Sequence, residues 1–462
     1  MRLFRIKRKE REVLFSILHS PLSILSIIFA FLKSMEINPT KYSLINVASG
    51  REFEDTGWLL DDPNGDNPSL IRTNYEQKQI FPKDLSCGIY RFADWLPISR
   101  CLNGSCAPIT YKSKALAEYL NLDNLFITFS GYFPEIGANM STCSFKETEA
   151  YSVGGRITPE MKGVLVVASA GNTARAFAKV CSDNNIPLLL CVPEDNLNAL
   201  WFDKELNSCV KLLCSKSGCD YFDAIYLSNI VVKSEKYYAE GGAKNVARRD
   251  GMATTMLSAT TFIGEIPDYY FQAVGSGTGA IAAWEANLRL IADGRFSKKK
   301  TKLMLSQNLP FIPMIDAWNA DSRNLLPFDD LEARKQVEEI DAKVLSNRKP
   351  PYGIIGGLFD AMKDTAGEFF AISNDDARAA AELFEKLEGV DIHPAAAVAT
   401  ASLIQTAKSG AIDKSKIVML NITGGGENRF KKSRELYYLM PDYVFEMNPD
   451  ESEVLKVAES LF

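Results

Sequence analysis

A chain of 462 residues, 46% hydrophobic and 24% charged, has the composition of a globular protein with a sizeable core. Its formal net charge of −6, without a Lys/Arg stripe interleaved with aromatics, argues against a general nucleic-acid binder. The two histidines, His19 and His393, exclude a Ser-His-Asp triad or a His-rich metal centre as the basis of function, so proton transfer must fall to Lys, Tyr, Ser, Thr, Asp or Glu. Nine cysteines, an odd number with several in apolar runs (Cys191 among them), read as free thiols of a reducing compartment. Cys209, Cys214 and Cys219 recur at five-residue steps rather than as C-x-x-C, and no metal is expected.

The N-terminus opens with Arg2, Arg5, Lys7, Arg8, Lys9 and Arg11, and then runs without Asp, Glu, Lys or Arg over 13–32. That stretch is long enough to span a bilayer, and read literally it is a signal anchor that exports everything after it. The alternative is a mis-assigned start codon, with Met35 the true first residue and 1–34 an extension. The second reading is preferred.

Residues 35–110 read as an irregular N-terminal segment packing on a core, with a turn-rich loop over 61–68. A short helix is predicted over 113–120 and a strand over 124–128. From Met161 onward the pattern is strand, Gly-rich turn, helix. Strands are predicted over 163–168, 187–192, 270–274, 302–305 and 417–422, and helices over 173–181, 280–291, 375–387 and 394–407. The continuous apolar run over 163–168 is the mark of a parallel strand covered on both faces. This alternation predicts an α/β fold with a mostly parallel sheet. The α/β core is assigned to 111–440, and a tail to 441–462.

Three of these strands end in loops rich in Gly, Ser, Thr and Asn: 169–173, 275–279 and 423–426. Lys146, in Ser144-Phe145-Lys146, precedes all three. One lysine amine able to condense with an aldehyde, and loops offering backbone N–H groups to a phosphate, are what pyridoxal 5′-phosphate (PLP) requires. The plainer readings are a solvated surface lysine for Lys146, a helix N-cap for Ser169, Asn172 or Thr173, and a simple turn at Thr423. A dinucleotide loop is disfavoured at Gly275-x-Gly277-x-Gly279, which lacks the G-x-G-x-x-G spacing.

The order Ser-Phe-Lys, Ser-x-Gly-Asn-Thr, Gly-Ser-Gly-Thr-Gly, Thr-Gly-Gly-Gly resembles the tryptophan-synthase-β (fold type II) family of PLP enzymes, and within it the threonine synthase branch. The likeness covers about 85–430. It implies two interlocked α/β domains and roles for particular residues. Lys146 would bind the cofactor and move the substrate's Cα proton. Asn172 would contact the ring's 3′-oxygen, and Gly275, Ser276, Gly277, Thr278 and Gly279 would cradle the phosphate. Thr423 would face the pyridine nitrogen, while Ser169, Gly171 and Thr173 would receive the substrate carboxylate.

Two segments depart from the threonine synthase pattern: Lys146-Glu147-Thr148, and Asp391-Ile392-His393-Pro394-Ala395, which places His393 where a carboxylate is expected. Both departures are expected beside the substrate. They are similar to a relative of that branch, in the coenzyme M pathway, which eliminates phosphate from O-phospho-L-serine and adds sulfite. This implies O-phosphoserine and sulfite as small-molecule substrates, a cytoplasmic location and a homo-oligomer. Arg156 and Arg175 are candidates for charge around these anions, although a surface position is the plainer expectation for each. The alternatives are threonine formation from O-phosphohomoserine, cysteine formation with sulfide, and a membrane-anchored binding protein on a PLP scaffold.

Overall fold

The apolar runs become strands of two mostly parallel sheets in a computed structural model that describes residues 39–462 apart from Ala170. The question of an anchor over 13–32 or a start at Met35 lies outside the described residues. Among the described residues no helix is long and apolar enough to cross a membrane.

Within the unit Thr40–Phe462, the larger sheet has the order Glu368–Ile372, Lys302–Asn308, Tyr269–Ala273, Ile417–Ile422, Asn124–Phe129, Ile109–Lys112. Neighbours run parallel except the last pair. The five-stranded sheet runs Tyr237–Ala239, Val164–Ala168, Leu188–Pro193, Val210–Ser215, Tyr443–Phe445, parallel throughout. Asn124–Phe129 pairs with Ile417–Ile422, so the chain leaves one sheet, builds the other and returns. The two layers are therefore interlocked. Leu188, Leu189, Leu190, Cys191 and Val192 have no exposed surface, which is why that strand reads as a continuous apolar run instead of an alternation.

Two helices that position the site are enclosed by the fold, and the longer of them carries no amphipathic signal. Val246–Ile263 is buried from Val246 to Thr260 except at Arg248, and Lys146–Arg156 is buried from Glu147 to its end. A helix enclosed on all sides has no polar face to produce a 3.6-residue stripe.

The ends of the described chain are more ordered than the sequence suggests. Glu52–Phe53, Tyr42–Asn46 and Ile71–Tyr75 form an antiparallel sheet where irregular structure was expected. Its strands are short and bury only isolated positions such as Leu44 and Ile71, which leaves little pattern to read. At the C-terminus, Tyr443–Phe445 joins the five-stranded sheet as an edge, and helix Glu451–Glu459 buries Val454 and Ala458 in a cluster with Ala224 and Leu227.

Candidate active site

Helix Lys146–Arg156 starts at Lys146 itself, directly after a tethered loop. Phe145 N–H donates to Thr423 O at 2.9 Å and Gly425 N–H donates to Cys143 O at 3.1 Å. The entry to the lysine and the exit of strand Ile417–Ile422 are thus one rigid wall. Lys146 Nζ lies 3.4 Å from Glu149 Oε2 and 4.7 Å from the centre of the Phe145 ring. Burial pushes its amine below the ordinary lysine value, with Arg248 adding to the effect and Glu149 opposing it. Arg248 Nη2 stands 3.2 Å from the other Glu149 oxygen, and Arg248 also pairs with Glu240, whose carboxyl burial pushes upward. Two cations and two carboxyl groups therefore share one enclosed cluster.

Strand Val164–Ala168 runs into helix Asn172–Asp183 through residues 169–171. Ser169 Oγ accepts from the N–H groups of Gly171 and Ala174, both at 3.1 Å, so Ser169 caps the helix. That leaves Asn172 free of capping duty, and its Oδ1 accepts instead from Arg175 Nη2 at 2.9 Å. The second seat follows strand Tyr269–Ala273, where Gly277 at φ 77° opens helix Thr278–Asp293. That positive φ favours glycine, and a Cβ there would also stand 2.7 Å from Leu358 Cδ2 and push that side chain aside. First-turn N–H groups have no intrahelical acceptor, so both helix starts make natural anion seats, although Ser169 Oγ already takes the Ala174 N–H.

Lys146, Ser169, Gly171, Asn172, Thr173, the five residues Gly275, Ser276, Gly277, Thr278 and Gly279, and Thr423 all line one cavity of about 240 Å³. His393 lines it too, its Nε2 3.0 Å from Glu427 Oε2. Sequence reasoning missed Tyr221, Arg248 and Lys343, which share the lining. Arg248 belongs to the helix without a stripe, and nothing in its local sequence separates it from Arg249.

Three expectations need correction. Glu147 does not face the cavity: it is fully buried, with Oε2 accepting from Thr142 N–H at 3.1 Å and from Thr142 Oγ1 at 2.9 Å. Thr148 is also turned away, its hydroxyl donating to Phe145 O at 2.8 Å. Of the residues that depart from the threonine synthase pattern, Glu147 and Thr148 are turned away and His393 lines the cavity. Arg156 and Arg175 are both buried rather than on the surface. Arg156 lies away from the cavity, bound to Asp55 and Asn245, whereas Arg175 stands directly behind Asn172.

The donor set fits PLP: a buried amine of lowered basicity, a glycine turn on a helix start, an amide, and a hydroxyl at a strand end. The family of pyridoxal-phosphate dependent enzymes matches residues 137–424. Maize serine racemase shares the fold at a TM-score of 0.55 and 14% identity, covering 71% of this chain and 91% of that one. The processed form of threonine deaminase isoform 2 from Solanum lycopersicum does so at 0.51 and 16%, covering 76% and 88%. The chain is a pyridoxal-phosphate dependent enzyme of fold type II.

The cysteate synthase of Methanocella arvoryzae is 47% identical over 422 residues, which cover 90% of this chain and 99% of that protein. That of Methanosarcina barkeri is also 47% identical, over 383 residues covering 83% and 92%. The chain belongs to the cysteate synthase family.

Proposed function

We propose that the protein converts O-phospho-L-serine and sulfite to L-cysteate and phosphate. The relatives' activity supports this reading, and one observation carries it. Lys146, Arg248 and Lys343 converge with two helix N-termini on a single cavity of an otherwise acidic chain. Both reactants and both products are anions, and such a cavity concentrates donors for them.

Bound PLP draws electrons from the substrate's Cα, so that its proton can be removed and phosphate can leave from Cβ. The chain's own groups do the rest. With PLP bound, Lys146 Nζ would hold the cofactor and, once the substrate amine has replaced it, would be free to take the Cα proton and later return it, a role suited to an amine that burial keeps less basic. The start of helix Asn172–Asp183, with Ser169, Gly171 and Thr173 around it, would seat the substrate carboxylate, while Gly275, Ser276, Gly277, Thr278 and Gly279 would seat the cofactor phosphate. Asn172 would meet the ring oxygen and the Thr423 hydroxyl the ring nitrogen. A neutral hydroxyl leaves that nitrogen unprotonated, which favours elimination. Arg248 and Lys343 are left to receive the leaving phosphate and the incoming sulfite.

We place this reaction in the cytoplasm, where PLP and phosphorylated amino acids occur, and expect a homo-oligomer. Incubating the purified protein and PLP with O-phosphoserine and either sulfite or sulfide, followed by amino-acid analysis, tests the assignment. Cysteate should form with sulfite. Threonine from O-phosphohomoserine, with no sulfite-dependent product, would overturn it.

A further inference from the structure

Arg175 is 2% exposed at its side chain, and four hydrogen bonds to three acceptors hold it. Nη1 donates to Ala199 O at 2.7 Å, Nε and Nη2 donate to Thr142 O at 3.2 and 3.0 Å, and Nη2 also reaches Asn172 Oδ1 at 2.9 Å. Its guanidinium carbon lies 4.2 Å from the centre of the Trp201 ring. Its nearest anion is Glu427, 3.6 Å away, which is itself gripped by His393 Nε2 at 3.0 Å and Lys431 Nζ at 2.6 Å. Glu427 is held well below the usual carboxylate range: burial opposes this, but His393, Arg175 and Lys431 together outweigh it.

A guanidinium can only donate, so the Asn172 amide must turn its oxygen toward Arg175. The NH₂ group then points the other way, and Asn172 lines the cavity. A free asparagine has a broad, two-fold χ2 and would present oxygen or nitrogen with little preference. We infer that Arg175 is a positioning residue that locks the Asn172 amide with its NH₂ toward the cavity, as a fixed donor for the cofactor's ring oxygen. Thr142, which Arg175 also binds, leads into the loop before Lys146. The same side chain therefore ties the donor to the amine-bearing loop. The sequence carries no trace of this, because Arg175 sits one turn into a helix, where an arginine ordinarily points to solvent.

The inference rests on the reading that Asn172 meets the cofactor ring, and the test separates the two. Protein stripped of cofactor is titrated with PLP, and both the dissociation constant and the absorption band of the bound cofactor are recorded. That band reports protonation at the ring oxygen, which a purely structural role does not move. Arg175→Met should weaken PLP binding about tenfold and shift the band, and Asn172→Ala should do the same. In the double variant the effects should not add, because Arg175 acts through Asn172. Arg175→Lys keeps the buried charge against Glu427 but lacks the planar fork; it should show the same band shift and serves if the Met variant does not fold. Wild-type affinity and band in a folded Arg175 variant, with Asn172→Ala altered, would overturn the inference and leave the ring contact standing. An unchanged band in Asn172→Ala would overturn both.

Discussion

Phe145 N–H donates to Thr423 O at 2.9 Å, which joins the residue before the amine to the residue after strand Ile417–Ile422. Two positions 278 apart in sequence thus form one wall, and the amine of Lys146 and the hydroxyl of Thr423 open on the same cavity. Catalytic geometry of this kind depends on backbone rigidity and not on side-chain contacts that could relax.

That wall makes Thr423→Val a clean probe. Valine preserves shape and the tether is a main-chain bond, so the fold should survive. Loss of one neutral hydrogen bond to the cofactor is worth about 1 kcal/mol, or about fivefold in affinity. Titration of the stripped protein with PLP reads this directly, and an unchanged dissociation constant would mean the hydroxyl does not meet the ring nitrogen.

Gly277→Ala should destabilise the protein by about 1–2 kcal/mol, the cost of placing an L-residue in the left-handed region. The added methyl also meets Leu358 at 2.7 Å. Urea unfolding measures the first effect and PLP titration the second. A variant as stable as its parent would contradict the turn geometry assigned here.

The Lys146 amine yields a pH prediction in protein stripped of cofactor. Burial lowers its folded pKa beneath the ordinary 10.5, so between those two values the unfolded chain holds a proton that the folded chain has released. Stability therefore rises with pH across that window, and the burial penalty is fullest below it. Lys146→Met abolishes the penalty. The variant should be more stable than its parent at low pH, by a margin that closes as pH approaches 10.5. Urea midpoints across that range would report it, and a margin that widens with pH would refute it.

How far the site was legible follows from where its chemistry lies along the chain. The lysine and the loops over 169–173, 275–279 and 423–426 are contiguous runs of residue types that anion seats require, and strand ends bring them together. The parallel strands over 163–168, 187–192, 270–274, 302–305 and 417–422 were equally legible, since burial on both faces writes itself as an apolar run. Val210–Ser215, Tyr237–Ala239, Glu368–Ile372 and Tyr443–Phe445 were not read. Arg248 was invisible because its helix is enclosed and has no stripe. Arg175 was misplaced for a related reason: a charged residue is by default a surface residue, and only the fold shows that Glu427 awaits it inside. Glu147, expected beside the substrate, is turned instead toward Thr142 and Lys179. The antiparallel sheet of Tyr42–Asn46 and its neighbours escaped because strands of two to five residues carry too little periodicity.

Reduction of the cofactor-loaded protein with borohydride, followed by digestion and mass spectrometry, tests the central claim most directly. The pyridoxyl group should appear on the peptide that contains Lys146, and Lys146→Ala should bind no label and form no cysteate while keeping its fold. A pyridoxyl group on any other lysine would contradict the account.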